Sequence, residues 1–247
     1  MVRKTQVLGK KGLSLMEKQF GIWVGNLGAY NAGVLAGEWI SLPCDPDELD
    51  KTLENLSSPG YARGAGEELF IADYDGTPFG LDPSCAALGE QASPEELNML
   101  ARLMELDEEA AEKVESVLAA GVDAPKDVLG LANWLLEADS LPFFSYLLPE
   151  GLSPWQTPEV KMAWTDILLS GKAEVFEENS WIENNFDFEA YGRDLGLELF
   201  LGEDGYVDKS HGMPAQDGWD WNVIDSQCYW NLEDRAAGLE GHKEAAL

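Results

Sequence analysis

Five glutamates recur at steps of three or four along one short segment: Glu105, Glu108, Glu109, Glu112 and Glu115. On an α-helix such spacing gathers side chains on one face. At a rise of about 1.5 Å per residue the five carboxylates would span roughly 15 Å of axis. That is close to the charge spacing of a single DNA strand, about 3.4 Å per phosphate. The chemistry open to such a row is pairing with the lysines and arginines of a cationic surface. Lys113 interrupts the segment and lies off the stripe. Like charges four residues apart cost a few tenths of a kcal/mol per pair, about 0.2–0.5, so a helix built for stability alone would mix in lysines. The plain alternative, for this helix by itself, is a solvated acidic face. The excess recurs at Asp45, Asp47, Glu48, Asp50 and Glu54, at Glu67 and Glu68, at Glu177, Glu178 and Glu183, and at Asp187, Glu189 and Asp194. The residues expected to meet a partner are Asp47, Glu48, Glu105, Glu108, Glu109, Glu112, Glu115, Glu177, Glu178, Asp187 and Glu189.

Other chemistries find little support. The only histidines are His211 and His242, close to the C-terminus, so the body of the chain lacks a histidine base or a histidine-rich metal site. No G-x-S-x-G, P-loop or G-x-G-x-x-G follows a candidate strand. Asp73-Tyr74-Asp75-Gly76 opens like a calcium loop but lacks the third oxygen ligand before its glycine and the closing glutamate. With 46 acidic residues, chance carboxylate pairs are inevitable, and a glycosidase-like dyad stays only as an alternative. No catalytic residue, metal or cofactor is expected.

The net charge is −30, from 46 acidic and 16 basic residues. Five of those cations (Arg3, Lys4, Lys10, Lys11 and Lys18) lie in the first 18 residues beside a single acid, Glu17, so the remainder is more acidic still. Charge of this size destabilises a compact state and argues against phosphate binding, which needs Lys and Arg. Thirty charges match those on roughly 50 Å of duplex at about 1.7 Å per charge. Cys44, Cys85 and Cys228 are odd in number with no C-x-x-C pair, which fits a reduced compartment. No apolar run approaches membrane-spanning length, and the basic start lacks a signal-peptide core. The expectation is a cytoplasmic protein that binds neither membrane nor nucleic acid.

The elements that must carry these groups read as α+β. Phe20–Val24 predicts a strand, Gly25–Gly37 a reversal needing left-handed positions or close backbone approach, and Glu38–Leu42 a second strand stopped by Pro43. Asp45-Pro46-Asp47-Glu48 starts a helix to about Leu56. Glu67–Asp75 predicts a third strand. Ser93-Pro94-Glu95-Glu96 opens a helix with Leu97, Leu100, Ala101, Met104 and Leu106 in period. A second helix covers Asp107–Ala120, ended by Gly121, and Ala124-Pro125-Lys126-Asp127 starts a third, through Val128, Leu131, Leu135 and Leu136. After an aromatic, proline-rich stretch come a helix at about Pro158–Leu169, another at Phe186–Asp194 with Phe188 and Tyr191 on its core side, and a strand at Leu197–Leu201. The division is a basic arm (1–18), a β-rich α+β unit (19–90), an all-α middle (91–138), an α+β unit (139–208) and an acidic, Trp-containing tail (209–247).

The stretch V-G-N-L-G-A-Y-N-A-G-x-L-x-G-E-W, Val24 to Trp39, resembles the opening signature of the ArdA antirestriction proteins, and Tyr191-Gly192-Arg193-Asp194-Leu195 matches a word near the end of their body. The resemblance covers about residues 20–208. It implies an elongated chain of three small domains, a homodimer, and carboxylates on a curved surface that imitates bent B-form DNA. Such proteins are encoded on conjugative elements and phages. They occupy the DNA-binding groove of type I restriction–modification enzymes, in the methyltransferase core, and block restriction and often modification. The basic arm, the aromatic stretch at 139–183 and the Trp-rich tail depart from that pattern. Halophilic adaptation and an acidic carbohydrate-binding or carbohydrate-acting protein are the competing readings of the charge.

Overall fold

The computed structural model describes residues 19–58, 68–89, 92–153, 155–208 and 210–230, less the side chains of residues 177 and 180. The basic arm, Glu67 and the last part of the tail with His242 lie outside the described residues.

The signature stretch forms a hairpin. β1 (Phe20–Asn26) pairs antiparallel with β2 (Gly37–Leu42), Phe20 opposite Leu42 and Gly25 opposite Gly37. The reversal contains a helix, α1 (Leu27–Asn31), capped by Asn26, whose side chain accepts from the Ala29 N–H. Of the two reasons a glycine is needed here, each operates at a different position. Gly33 takes φ +79°, whereas Gly25 and Gly37 leave space for the Trp23 indole, which a Cβ at either would overlap. α2 (Pro46–Ser57) starts where Asp45 accepts from the N–H groups of Asp47 and Glu48. β3 (Leu69–Asp75) then pairs antiparallel with the free side of β1, giving the order β2-β1-β3.

Three helices follow. α3 (Pro94–Leu106) carries a capping box between Ser93 and Glu96. α4 (Glu108–Ala119) is capped by Asp107, and α5 (Val128–Leu136) begins later than the expected Ala124-Pro125 start because Asp127 is the residue that caps it, accepting from the Gly130 N–H at 2.8 Å. The aromatic stretch contains an unanticipated strand, β4 (Phe143–Ser145), too short to show alternation. α6 (Pro158–Leu169), α7 (Ala173–Glu178), α8 (Ser180–Asn185) and α9 (Phe188–Leu195) lead into β5 (Leu199–Leu201) and β6 (Gly205–Asp208). The last expected strand starts two residues late because Gly196–Glu198 makes a 3-10 turn. The second sheet has the order β4-β6-β5, both pairings antiparallel. α10 (Trp221–Gln227) closes the described chain. The mixed α+β class expected from the sequence is what the fold shows.

One apolar cluster joins β1 and β2 through Phe20, Ile22 and Leu42 to α3, α4 and α5 through Leu100, Val114 and Leu131. It also takes in Val207 of β6 and Ile224 and Cys228 near the C-terminus. A second cluster gathers Trp164, Ile167 and Phe176, with Phe188 and Tyr191 against it as expected. The Trp164 and Phe188 rings stack at 4.8 Å. Gly192 lets α9 lie directly on α6, since a Cβ there would overlap the Glu159 carbonyl.

Three buried asparagines hold chain segments in place. Asn98 accepts from the Cys44 N–H at 2.8 Å and donates to the Cys44 carbonyl at 2.9 Å. Asn133 does the same for Trp219, at 2.7 and 3.0 Å. Asn26 donates to the Leu56 carbonyl at 2.9 Å. Replacing Asn98 with Ala strands both polar groups of Cys44, each costing about 1–3 kcal/mol when buried and unpaired. The expected loss is about 2–4 kcal/mol, read from the urea midpoint of Asn98→Ala against the parent.

Candidate functional site

α4 is amphipathic in the simplest way. Ala110, Val114 and Val117 face the core, and Glu108, Glu109, Glu112 and Glu115 are left exposed. The Asp107 carboxylate accepts from the Ala110 N–H at 2.9 Å and fixes the start of the helix. Lys113, which borders the same groove as the row, donates to the Asp139 carbonyl at 3.5 Å.

Glu105 does not continue this row. Asp107 ends α3 and caps α4 in one residue, at φ −135° and ψ 82°, so residues 105 and 108 belong to different helices. The Glu105 carboxylate pairs instead with Arg102 one turn earlier, and its side chain is only 14% exposed. A helical period counted straight through a capping residue cannot register that break.

A carboxylate that the periodicity missed lies opposite. The β5–β6 turn brings Asp204 to a groove of about 630 Å³ lined also by Glu109, Glu112, Glu115, Phe143 and Ser145, with Lys113 as the one cation among its described lining residues. The signal available in the sequence was the turn itself, Gly202-Glu203-Asp204-Gly205. The groove therefore has acid from two elements about ninety residues apart and an aromatic side chain between them.

The other expected residues stand on separate elements. Asp47 and Glu48 are exposed in the first turn of α2, where the helix dipole favours anions. Glu178 is exposed at the end of α7, and the side chain of Glu177 lies outside the described residues. Asp187 caps α9 through the Ala190 N–H, and Glu189 pairs with Arg193 at 2.9 Å. Local structure thus accounts for part of the acid on α2 and α9, whereas Glu112 and Glu115 lie beyond the first turn of α4 and gain no such end effect.

Two cations are withdrawn from the surface. Arg102 is 4% exposed and donates to the Cys228 and Tyr229 carbonyls, both at 2.9 Å. Lys161 is 6% exposed and donates to the Glu203 carbonyl at 2.8 Å. Both serve the fold and dilute none of the surface charge.

Two of the thiols, Cys44 and Cys228, are poor nucleophiles. Burial, with help from Glu48 and Asp45, pushes Cys44 up to about 11, and burial, with help from Asp225, pushes Cys228 up to about 12. Both stay protonated at neutral pH. Among the described residues, no group of three or more His, Cys, Asp or Glu is arranged to hold a metal ion. None of the described helices is long and apolar enough to cross a membrane.

A family model described as antirestriction protein (ArdA) matches residues 22–208, about three quarters of the chain. That span contains both sheets, α4 with its glutamates and the turn of Asp204. The class is that of proteins that act against restriction. The chain belongs to the ArdA family of antirestriction proteins. No curated protein matches it.

Repulsion along α4 sets a measurable expectation. Glu112→Gln with Glu115→Gln removes like-charge pairs without touching the first turn. It should stabilise the protein by up to about 0.5 kcal/mol at low salt. The gain should shrink when NaCl is raised from about 10 to about 150 mM, where the Debye length falls from about 30 to about 8 Å. Urea unfolding at the two salt concentrations reads both effects.

Proposed function

We propose that this ArdA-family chain acts as a DNA mimic, occupying the DNA-binding groove of a type I restriction–modification enzyme and inhibiting it by competition. The observation that carries this reading is the exposed row on α4, faced across a groove by Asp204, in a chain whose net charge is −30. Glu108 to Glu115 places four carboxylates along roughly 10 Å of helix axis, near the ~3.4 Å per charge of a DNA strand. Carboxylates pair with the cations that would otherwise hold phosphates, and counterions leave both partners. Asp47, Glu48, Glu178, Asp187 and Glu189 extend the acidic surface beyond α4. Glu105 is left out, its carboxylate being committed to Arg102.

The protein in this reading is a cytoplasmic homodimer, each protomer organised as the three successive units 19–90, 91–138 and 139–208. The carbohydrate alternative has the exposed tryptophans Trp155 and Trp181 in its favour and the family membership against it.

Competition tests the mechanism. The protein is titrated into a type I methyltransferase bound to labelled target DNA, at about 50 mM and then about 200 mM salt. The expected result is displacement near one dimer per enzyme, weakening as salt rises. The triple replacement Glu108→Gln, Glu109→Gln, Glu112→Gln should raise the half-displacing concentration about tenfold or more while circular dichroism stays unchanged. Equal displacement by parent and variant would remove α4 from the interface. No displacement from several type I enzymes would overturn the mechanism.

A further inference from the structure

The family match ends at residue 208, yet the chain beyond it is built into the fold. Asn133 pins Trp219, and Ile224 and Cys228 are fully buried in the main core. Arg102 holds the carbonyls of Cys228 and Tyr229. This fixes α10 and Trp230 as one wall of a pocket of about 250 Å³, whose other walls are α2 and α3.

The lining of this pocket has a definite chemistry. Met99, Trp221 and Trp230 supply apolar and aromatic surface, and Asp50, Glu95 and Asp225 supply three carboxylates from three helices. The Trp230 indole N–H already has a partner, donating to Asp225 at 2.9 Å. The Trp230 ring is thereby oriented, and the pocket offers π surface, three carboxylates and the exposed amide of Asn222. A carbohydrate would stack on the rings and donate its hydroxyls to the carboxylates, but it would leave their negative charge uncompensated. An anion would be repelled by the rim. A flat cation on an aliphatic stem meets both the rings and the charge. Guanidinium stacks on aromatic faces, is weakly hydrated compared with ammonium, and pairs with carboxylates through its fork of donors.

We propose that the pocket between α2, α3 and α10 binds an arginine side chain of a basic protein partner. The chemistry of the pocket stands on its own lining. That the arginine comes from the DNA-binding face of a restriction enzyme rests on the function proposed above. The pocket then adds a shape-specific anchor to an acidic surface whose other contacts are long-range and exposed to salt.

The test uses the full chain and small probes: N-acetyl-arginine amide, N-acetyl-lysine amide and N-acetyl-norleucine amide, each followed by the indole N–H resonances of the tryptophans. The expected result is a saturable shift confined to Trp221 and Trp230 with the arginine probe, at least fivefold weaker binding of the lysine probe, and no shift with norleucine. Asp225→Asn keeps an oxygen acceptor for Trp230 and should weaken the arginine probe fivefold or more. Trp230→Ala should abolish its binding, provided circular dichroism confirms the fold. The proposal is overturned if the arginine probe gives no saturable shift, if lysine binds equally, or if all tryptophans respond alike. The same Asp225→Asn protein in the displacement assay separates the two readings. Displacement unchanged from the parent removes the pocket from the interface and leaves DNA mimicry standing. Arginine binding without displacement by any variant or parent leaves the pocket and removes the enzyme as its partner.

Discussion

Mutual repulsion among carboxylates is the constraint to which the rest of this structure answers. A chain with 46 acidic and 16 basic residues cannot use surface ion pairs as its main support. Support comes from elsewhere. The principal core runs from the first strand to Cys228 and draws on elements from both ends of the described chain. Where polar groups enter it they are neutral amides, and Asn26, Asn98 and Asn133 each bind the backbone of a distant segment. Amide contacts of this kind carry no net charge, so their strength is independent of the field that the surface creates. The two buried cations bind carbonyl oxygens, and only Arg102 also takes a carboxylate.

The family words acquire physical meaning once the packing is seen. The glycines at 25 and 37 are opposite one another on paired strands and flank one indole. Asn26 both starts α1 and reaches the end of α2, tying the hairpin to the helix that follows. Gly192, in the second word, is where α6 and α9 touch backbone to backbone. None of these residues is part of the acidic surface. The glycines and asparagine of the family words thus serve packing, and most of the carboxylates that would act on a partner lie outside those words, with Glu38 and Asp194 as the exposed acids inside them.

Much of the scaffold was legible because its signals are local. Asp45 and Ser93 stand where helix starts were expected, and Leu97, Leu100 and Ala101 of the period expected for α3 are buried, whereas α5 starts at Asp127 rather than at Ala124-Pro125. Tertiary partnerships were not legible. Glu105 looked continuous with the α4 row until Asp107 divided the helices. Asp204 gained a role only when β6 paired with both β4 and β5, strands of three or four residues that leave almost no pattern. The segment around α10 read as an acidic tail because its composition is polar and aromatic. The burial of Ile224 and Cys228 depends on Arg102 and Asn133, about ninety residues or more earlier.

Lys161 joins two parts of the molecule that otherwise have separate cores. It lies on α6 beside Trp164 and Ile167 of the second cluster, and its ammonium grips the carbonyl of Glu203, next to Asp204. One jaw of the acidic groove is therefore mounted on α4 in the main core, and the other is tethered to the second. The separation between the jaws works as a caliper whose setting belongs to neither core alone. A shift of α6 by a fraction of an ångström would be carried along one lysine to the gauge at which the molecule presents its charges.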